Sequence, residues 1–338
     1  MFVTRRIRDA GLNILEEAGV EMRVWPGKED EGPSQDEVIE GARWADVLLS
    51  LLTEPVNRAV MEANPSLRGI AQFAVGYDNI DVGVATELGI PVSNTPGVLT
   101  DTTADLTWAL LLSVSRNIVT GDEYMRGNNY KLWGPNLLLG EDTSPGGDGR
   151  EKILGVVGFG RIGQAVTRRA MGFDMRVLAY DPYAREAIEA DGQAEWADLD
   201  QLLTESDFVS IHTLLSNETR HLISTTEFEK MKPTAYILNA ARGPIIDEAA
   251  LVVALNEGEI AGAGLDVYER EPKMVQGLAE CKNAVLLPHL GSASRGTRDK
   301  MATMAATNAI AMLQGDRAPN CVNADVYDST AYAKRSGH

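Results

Sequence analysis

Short apolar runs alternate with amphipathic segments through the first hundred residues of the chain. The apolar runs predict β-strands at residues 2–4, 21–25, 46–52, 67–73 and 91–93. The periodic segments between them predict helices at residues 9–18, 35–42, 55–63 and 82–88. This β-α repetition is typical of an α/β fold with a parallel sheet that helices cover on both faces.

Two longer segments have the apolar periodicity of helices. Residues 102–117 predict a helix that links two domains, with Asp101 or Thr102 as its N-cap. Residues 297–313 are rich in Ala and Met and predict a helix that returns to the first domain. We expect the Met side chains of this second helix to pack in a core or an interface, because Met fills irregular apolar gaps.

Two other segments lack this periodicity. Residues 141–151 are rich in Gly and Asp and indicate an exposed loop. The tail after Asp325 is small, polar and basic, so we expect it to be poorly ordered.

A glycine-rich turn follows the apolar run at residues 154–157 and leads into a helical pattern that continues to residue 170. The turn has the sequence Gly158-Phe159-Gly160-Arg161-Ile162-Gly163. Its three glycines permit a tight turn, a close backbone approach to a pyrophosphate, and close packing of helix on strand. The next apolar run ends in Asp181, which can accept both hydroxyls of an adenosine ribose. The order of strand, turn, helix, strand and acid predicts dinucleotide binding.

Composition narrows the class of protein. The chain of 338 residues is long enough for two domains, and no apolar run approaches the ~20 residues of a membrane span. The formal charge of −18 disfavours nucleic acid and anionic membranes as partners. The N-terminus has no signal-peptide pattern, and Cys281 and Cys321 suggest neither a metal site nor a disulfide framework. These features favour a cytoplasmic protein.

The chain has more acidic than basic residues, and few of its basic residues are Lys. Acidic residues number 49, whereas only nine of the 31 basic residues are Lys. An acid-rich, Lys-poor surface suits a protein that stays hydrated in concentrated salt, where charge repulsion is screened. The composition therefore favours a halophilic source, and an ordinary acidic enzyme is the alternative.

Three motifs in the second half of the chain each follow a predicted strand. They end in Arg242-Gly243, in the acidic loop Asp266–Pro272 and in His289-Leu290. Because the carboxyl ends of parallel strands meet at one edge of a doubly wound sheet, we expect these motifs to lie close together beside the nucleotide.

With the segment Asn94-Thr95-Pro96-Gly97-Val98, this pattern resembles the D-isomer-specific 2-hydroxyacid dehydrogenases over nearly the whole chain. Residues 71–81, 95–101 and 319–323 are most similar to the glyoxylate/hydroxypyruvate reductase branch. The resemblance implies two Rossmann-like, doubly wound parallel-sheet domains. A cofactor domain at residues 101–291 is expected to be inserted into a discontinuous substrate domain at residues 1–100 and 292–338.

Reduction of a 2-oxoacid needs a hydride, a proton and an anchor for the carboxylate. His289 is the candidate proton donor, because histidine can be protonated near neutral pH. Glu271 is expected to orient the ring; the resemblance selects it over Glu269, since the acid of the family precedes a proline. Arg242 can polarise the carbonyl and hold the carboxylate with its planar fork. The resemblance adds the backbone N–H groups of Val75 and Gly76, two residues predicted to bind substrate.

The other histidines have more ordinary interpretations. His212 follows a strand near the cofactor and is expected to pack or to line the site. His221 is expected to cap or pack locally, and His338 lies in the tail.

The resemblance implies further cofactor contacts beyond the glycines, from Arg161, Ile162, Asp181, Leu214, Ala240, Ala241 and Asp266. Asp266 would bind the nicotinamide carboxamide, and Leu214 departs from the proline that is common in the family. The Asp181 carboxylate would repel the 2′-phosphate of NADP and so favours NAD(H). Arg185, just downstream, could offset that repulsion, which leaves NADP(H) as the alternative.

Trp133 aligns with a tryptophan that reaches the active site of the partner subunit in the reductase branch, which implies a homodimer. An anchor in the dimer interface is the alternative role for this side chain. The resemblance implies reduction of glyoxylate or hydroxypyruvate. The alternatives are a dehydrogenase for bulkier 2-ketoacids or 3-phosphoglycerate, and a corepressor-like scaffold that senses NAD(H).

Overall fold

The computed structural model describes residues 1–145 and 150–336. The chain divides into two compact units. The first unit contains residues 1–99 and the described residues from Ala293 onward, and the second runs from Thr100 to Ser292. Each unit is built around its own parallel sheet, so the prediction of two parallel-sheet α/β domains is confirmed.

Strands and helices alternate along most of the chain. The strands are β1 (Phe2–Val3), β2 (Arg23–Val24), β3 (Val47–Ser50), β4 (Gly69–Gln72), β5 (Val92–Ser93), β6 (Ile153–Val157), β7 (Arg176–Tyr180), β8 (Glu195–Trp196), β9 (Phe208–Ile211), β10 (Tyr236–Asn239), β11 (Gly262–Leu265) and β12 (Ala284–Leu286). The helices are α1 (Asp9–Glu17), α2 (Gln35–Trp44), α3 (Arg58–Glu62), α4 (Val82–Glu87), α5 (Thr100–Ser115), α6 (Ile118–Arg126), α7 (Arg161–Ala170), α8 (Arg185–Asp191), α9 (Leu199–Glu205), α10 (Thr225–Lys230), α11 (Glu248–Glu257), α12 (Arg295–Gln314) and α13 (Thr330–Ser336).

The first unit has the strand order β2-β1-β3-β4-β5, with all neighbours parallel. Helices α1 and α12 cover one face of this sheet and contribute Leu12, Leu15 and Met301 to a buried cluster. Met312 lies in the same cluster, whereas Met304 is partly exposed. The predicted return of the C-terminal helix to the N-terminal sheet is thus confirmed, and two of its three Met side chains are buried in the core.

The second unit has the strand order β12-β11-β10-β9-β6-β7-β8, again with all neighbours parallel. The order reverses at β6, which pairs with β9 on one side and with β7 on the other. In an open parallel sheet, ligands bind outside the carboxyl ends of the strands at this switch point. The glycine-rich turn follows β6 and therefore lies there.

Two predictions are wrong, one about the start of α5 and one about the C-terminal tail. Helix α5 begins at Thr100, so Asp101 and Thr102 lie in its first turn and are not its N-cap. The tail is not irregular, because Thr330–Ser336 form helix α13, where Arg335 donates to the carbonyls of Leu88 at 2.8 Å and Leu67 at 3.0 Å. The hydrogen bonds of the Arg335 side chain thus help to hold the tail in place, although the sequence of the tail has no apolar stripe that would predict a helix.

Other predictions reach beyond the residues that the structure describes. His338 lies outside them, as do residues 146–149 of the predicted loop at residues 141–151. Within residues 1–145 and 150–336, the helices are all too short or too polar to cross a membrane.

Candidate active site

The turn after β6 depends on two of its glycines. Gly158 has φ of +96°, in the left-handed region that favours glycine. A Cβ atom at Gly163 would lie 2.1 Å from the carbonyl oxygen of Gly158, so only glycine lets α7 approach the turn this closely. Gly160 is the N-cap of α7, and it has no side chain to cover the first N–H groups of the helix. These groups carry the positive end of the helix dipole and form a site for a phosphate.

Asp181 joins the end of β7 to this turn. Its Oδ2 accepts the N–H of Phe159 at 3.0 Å, and its Oδ1 accepts the N–H of Tyr183 at 2.9 Å. A carboxylate has about four lone-pair sites, so both oxygens can still accept a ribose hydroxyl. Arg161 is exposed and Ile162 is partly exposed at the start of α7. The turn, the helix start and the acid together fit a dinucleotide.

Arg185 contacts residues other than Asp181. Its Nε donates to Glu189 at 2.9 Å, and its guanidinium carbon lies 4.1 Å from the ring centroid of Trp196. The side chain is therefore held by an ion pair and a cation–π contact within its own part of the fold.

Arg242 stands on a turn that follows β10. The buried Asn239 shapes this turn, because its Oδ1 accepts the N–H of Ala241 at 3.0 Å and its Nδ2 donates to the carbonyl of Arg242 at 2.9 Å. Arg242 itself donates from Nη1 to the carbonyl of Ala241 at 2.8 Å. Ala240 and Ala241 are partly exposed on the same turn.

His289 stands on the turn after β12 and has φ of +57°, which is uncommon for a residue other than glycine. The fully buried Asp266 holds this turn: its carbonyl accepts the N–H of His289, and its carboxylate accepts those of Leu290 at 2.6 Å and Gly291 at 2.7 Å. Burial raises the pKa of Asp266, although these donors and the charge of His289 act against it. Both oxygens thus bind backbone, and contact with a carboxamide stays a prediction.

His289 and Glu271 form a close pair. His289 Nδ1 lies 2.9 Å from Glu271 Oε2, and each side chain is about a quarter exposed, at 26% and 27%. The other oxygen of Glu271 accepts the N–H of Tyr268 at 3.1 Å. Burial acts to raise the pKa of Glu271, but the hydrogen bond and charge of His289, the N–H of Tyr268 and the charge of Arg242 outweigh it and lower the pKa. Glu271 is therefore an anion near neutral pH, and its carboxylate accepts a hydrogen bond at Nδ1 of His289.

The neighbouring acid, Glu269, serves a different histidine. Its Oε1 lies 2.8 Å from Nε2 of His221, so the loop carries two His–carboxylate pairs only two residues apart. The expectation that His221 caps or packs locally missed this pair. The structure places Glu271, and not Glu269, against His289.

His212 and Leu214 follow β9. His212 Nε2 lies 2.7 Å from Ser210 Oγ, and burial lowers the pKa of His212 to about 3, so the ring is neutral. The side chain of Leu214 is 77% exposed, and its carbonyl accepts the hydroxyl of Thr219 at 2.6 Å. His212 therefore packs as a neutral side chain, while Leu214 presents an apolar surface to solvent.

The loop after β4 contains Val75 and Gly76, two residues predicted to bind substrate, and the carbonyl groups of both are hydrogen-bonded. Asn94 Nδ2 donates to the carbonyl of Val75 at 2.8 Å, and Gln72 Nε2 donates to that of Gly76 at 3.2 Å. Gln72 is fully buried and also donates to Asn79 Oδ1 at 2.7 Å. Among residues 1–145 and 150–336, no acceptor receives the N–H of Val75 or of Gly76. Those two donors are therefore available to an anion.

Trp133 belongs to an apolar surface formed by α6 and the segment after it, residues 118–139. No side chain of α6 is buried, and Trp133 is 70% exposed. Its exposed apolar companions are Ile118, Val119, Met125, Tyr130, Leu132, Leu137, Leu138 and Leu139. Exposed apolar patches of this kind mark interaction surfaces.

The structure thus groups Arg242, Glu271 and His289 at the carboxyl ends of neighbouring strands in the second unit, while Val75 and Gly76 lie in the first. Sequence reasoning missed the polar residues that hold these loops, such as the buried Asn239 and Gln72 and the partly exposed Asn94. Gln72 and Asn94 lay within the segments that carry the family resemblance, and a polar residue at a strand end was the available signal.

Comparison with known proteins identifies the family. The family model described as D-isomer specific 2-hydroxyacid dehydrogenase, NAD binding domain, matches residues 108–291. A glyoxylate reductase of Korarchaeum cryptofilum is 49% identical over 328 residues, which cover 96% of each chain.

Two solved structures are also similar. A glyoxylate reductase from Paecilomyes thermophila has a TM-score of 0.80 at 31% identity, covering 95% of this chain and 97% of that one. An NADPH-dependent glyoxylate/hydroxypyruvate reductase from Sinorhizobium meliloti, in complex with NADP and malonate, has a TM-score of 0.81 at 29% identity, covering 96% of each. The chain therefore belongs to the D-isomer specific 2-hydroxyacid dehydrogenase family and is an NAD(P)-dependent oxidoreductase.

Proposed function

We propose that this enzyme reduces glyoxylate or hydroxypyruvate to the corresponding 2-hydroxyacid. The observation that carries the proposal is the 2.9 Å contact between His289 Nδ1 and Glu271 Oε2 on loops beside the Arg242 turn. A proton donor, its orienting carboxylate and a cation for the substrate carboxylate are what reduction of a 2-oxoacid requires from the protein. The names of two relatives, a glyoxylate reductase and a glyoxylate/hydroxypyruvate reductase, support these two small substrates.

Each residue has a distinct task in this proposal. His289 gives the proton at Nε2 to the carbonyl oxygen of the substrate, which becomes the hydroxyl of the product. Glu271 keeps the ring oriented through Nδ1. Arg242 binds the substrate carboxylate and polarises the carbonyl. The N–H groups of Val75 and Gly76 in the first unit are further candidate donors to a substrate anion. When bound, the nicotinamide supplies the hydride.

We propose NADH as the preferred coenzyme. The residues that would hold it are Gly158, Gly160, Arg161, Ile162, Gly163, Asp181, Leu214, Ala240, Ala241 and Asp266. Asp181 has lone pairs for the ribose hydroxyls, and Arg185 is engaged with Glu189 and Trp196 instead of offsetting that charge. The relative from Sinorhizobium meliloti is NADPH-dependent, and the argument for NADH in this chain is the Asp181 carboxylate.

We also propose a homodimer formed through the apolar surface of residues 118–139, with Trp133 in the interface or reaching the substrate of the partner subunit. A surface that has no buried side chain on α6 and many exposed apolar ones gains stability when a second copy covers it. Sedimentation of the wild type and of Trp133→Ala in the same buffer tests this. A monomeric wild type would contradict the dimer.

The acidic composition supports two further parts of the proposal, a cytoplasmic location and a halophilic source. The formal charge of −18 and the scarcity of Lys suit a cytoplasm that is rich in salt.

The reaction is tested by steady-state oxidation of NADH with a panel of 2-oxoacids, measured in low and in molar KCl. We expect the highest kcat/KM with glyoxylate or hydroxypyruvate. A higher value with pyruvate or a bulkier 2-ketoacid would reassign the substrate, and turnover of phosphohydroxypyruvate would favour the phosphoglycerate alternative. Tight NADH binding with no turnover of any member would favour the sensing scaffold.

A further inference from the structure

A buried carboxylate outside the predicted site spans the loop that carries Glu271. Glu248 is the first residue of α11, and its side chain is only 4% exposed. One of its oxygens accepts the N–H of Glu269, and the other accepts the N–H of Val275 at 3.1 Å. A single side chain therefore ties down both ends of the segment from Glu269 to Val275.

The segment between these two points is a tight turn. The N–H of Lys273 donates to the carbonyl of Arg270 at 2.8 Å, which leaves Glu271 and Pro272 at the centre of the turn. From there Glu271 reaches His289. The placement of the Glu271 carboxylate thus depends on how firmly the two ends of the turn are held.

Helix capping does not account for Glu248. Asp247 is the N-cap of α11, and its Oδ1 accepts the N–H groups of both Ala249 and Ala250 at 3.1 Å. Glu248 points instead at the backbone of the Glu271 loop.

The surroundings of Glu248 make its burial costly. Burial raises the pKa of Glu248 and the negative charges of Glu269 and Glu271 add to this, while the N–H groups of Glu269 and Val275 act in the opposite direction. In the part of the chain that the structure describes, no Lys or Arg forms an ion pair with Glu248. Burying an acid that has no cation beside it costs free energy, and only its hydrogen bonds offset that cost. The retention of such an acid therefore indicates that its hydrogen bonds have a role. The other titratable groups at this loop are His221, which pairs with Glu269, and His289.

We propose that Glu248 is a positioning residue for the reduction, which holds the turn so that Glu271 stays on His289. This inference rests on the proposed function, since it assigns Glu248 a role only through Glu271. Glu248 does not touch substrate or cofactor in this proposal. Its effect should therefore vanish when Glu271 can no longer act.

The first test compares Glu248→Gln and Glu248→Asp with Glu271→Gln and with the double variant Glu248→Gln/Glu271→Gln. The Gln amide can accept only one of the two N–H groups, and the shorter Asp side chain reaches only one. We expect kcat to fall about tenfold in each Glu248 variant, because one buried N–H loses its acceptor. We expect the acidic limb of the pH–rate profile to move to higher pH, because Glu271 loses part of the contact with His289 that lowers its pKa. In the Glu271→Gln background, Glu248→Gln should change kcat less than about twofold.

The second test does not depend on activity. Amide hydrogen exchange in the Glu248 variants should be faster at Glu269 and Val275 than in the wild type. The matched control is Asp207→Asn, because Asp207 also accepts a backbone N–H, from Ile153 at 2.9 Å, but does so at the amino ends of the strands. This control should lower the melting temperature while leaving the pH–rate profile and the exchange of the Glu271 loop unchanged.

The outcomes separate the two proposals. If Glu271→Gln lowers kcat but the Glu248 variants keep the wild-type pH–rate profile, or if the losses multiply in the double variant, the positioning role is overturned and the proposed function stands. If Glu271→Gln itself has wild-type kcat and pH dependence, the proposed roles of both residues are wrong. Unchanged exchange at Glu269 and Val275 in a folded Glu248 variant would also overturn the positioning role.

Discussion

At the scale of single residues, His289 is the most sharply testable assignment. Because its ring is held at Nδ1 by Glu271, Nε2 is the nitrogen left to deliver a proton. Replacing His289 with Gln should lower kcat by about 10²–10⁴-fold, the usual contribution of general acid catalysis, and should leave NADH binding nearly unchanged. Stopped-flow kinetics and NADH fluorescence titration measure the two quantities.

A second histidine provides the control for this prediction. His221 also pairs with a carboxylate, at 2.8 Å, but on Glu269. The variant His221→Gln should keep most of the wild-type kcat. Near-wild-type turnover by His289→Gln would show that another group donates the proton.

The lowered pKa of Glu271 leads to a pH prediction. Burial acts to raise this pKa, but His289, Tyr268 and Arg242 lower it, so Glu271 stays ionised as pH falls below neutrality. The ionised carboxylate is the form that orients the ring, so activity should be lost as pH falls through the lowered pKa of Glu271. Replacing Glu271 with Gln removes this titrating group, so kcat should fall and the acidic limb of the pH–rate profile should disappear.

The neighbouring acid is the matched control for the pH profile. Glu269 carries the same charge on the same loop but contacts His221. Glu269→Gln should leave the acidic limb in place. Equal changes in both variants would mean that the profile reports the total charge of the loop and not the pair.

Coenzyme choice is also decided by one residue. A 2′-phosphate near the Asp181 carboxylate would bring two negative charges together at a cost of about a few kcal/mol in a partly exposed site. The wild type should therefore have a higher kcat/KM with NADH than with NADPH, and Asp181→Ser should shift that ratio toward NADPH. Since the proton donor is not altered, KM should change more than kcat.

Arg185 is the control for coenzyme choice. It is engaged with Glu189 and Trp196, so Arg185→Ala should leave the NADH:NADPH ratio near its wild-type value. A wild-type enzyme that prefers NADPH, or a large effect of Arg185→Ala, would show that Arg185 and not Asp181 determines the coenzyme preference.

At the scale of elements, the loop after β4 should owe its anion site to polar side chains that hold its carbonyl groups. Asn94 donates to the carbonyl of Val75 at 2.8 Å, which leaves the N–H groups of Val75 and Gly76 for a carboxylate. Asn94→Ala should raise KM for glyoxylate by about tenfold, the scale of one lost hydrogen bond, and should change kcat less. The matched control is Asn64→Ala, which removes an amide donor to the carbonyl of Ala45 in the same unit. Equal KM values in both variants would contradict the role of Asn94.

The elements also show what the sequence could predict. Apolar runs predicted every strand of the first unit within a few residues, because buried parallel strands need continuous apolar side chains. The strand-end motifs predicted that Arg242, Glu271 and His289 lie at one edge of the sheet, because the carboxyl ends of parallel strands meet at the same edge.

The contacts that sequence reasoning missed join residues far apart in the chain. Arg335 donates to the carbonyls of Leu67 and Leu88. Glu248 accepts the N–H of Glu269, which lies more than twenty residues further along the chain. No local pattern encodes such a pairing, because the partner is a backbone group that every residue carries. The left-handed backbone at His289 was equally hidden, since it is held by the distant Asp266.

At the scale of the whole molecule, the dominant feature is the formal charge of −18. Like charges spread over the surface repel one another in the compact state, and salt screens this repulsion, with a Debye length of about 10 Å at 0.1 M and about 3 Å at 1 M. We therefore expect both the melting temperature and kcat/KM to rise on going from dilute buffer to molar KCl. Calorimetry and NADH oxidation over the same salt series measure the two effects.

The control for the salt series is a neutral co-solute. Sucrose favours the compact state by exclusion from the surface and screens no charge. If repulsion sets the stability, KCl should raise the melting temperature steeply at low concentration, where screening lengths shorten most, and sucrose at equal osmolality should not reproduce that steep phase. Full stability and activity in dilute buffer would contradict the halophilic interpretation while leaving the assignments of His289, Glu271 and Arg242 unaffected, because those residues act at short range inside the second unit.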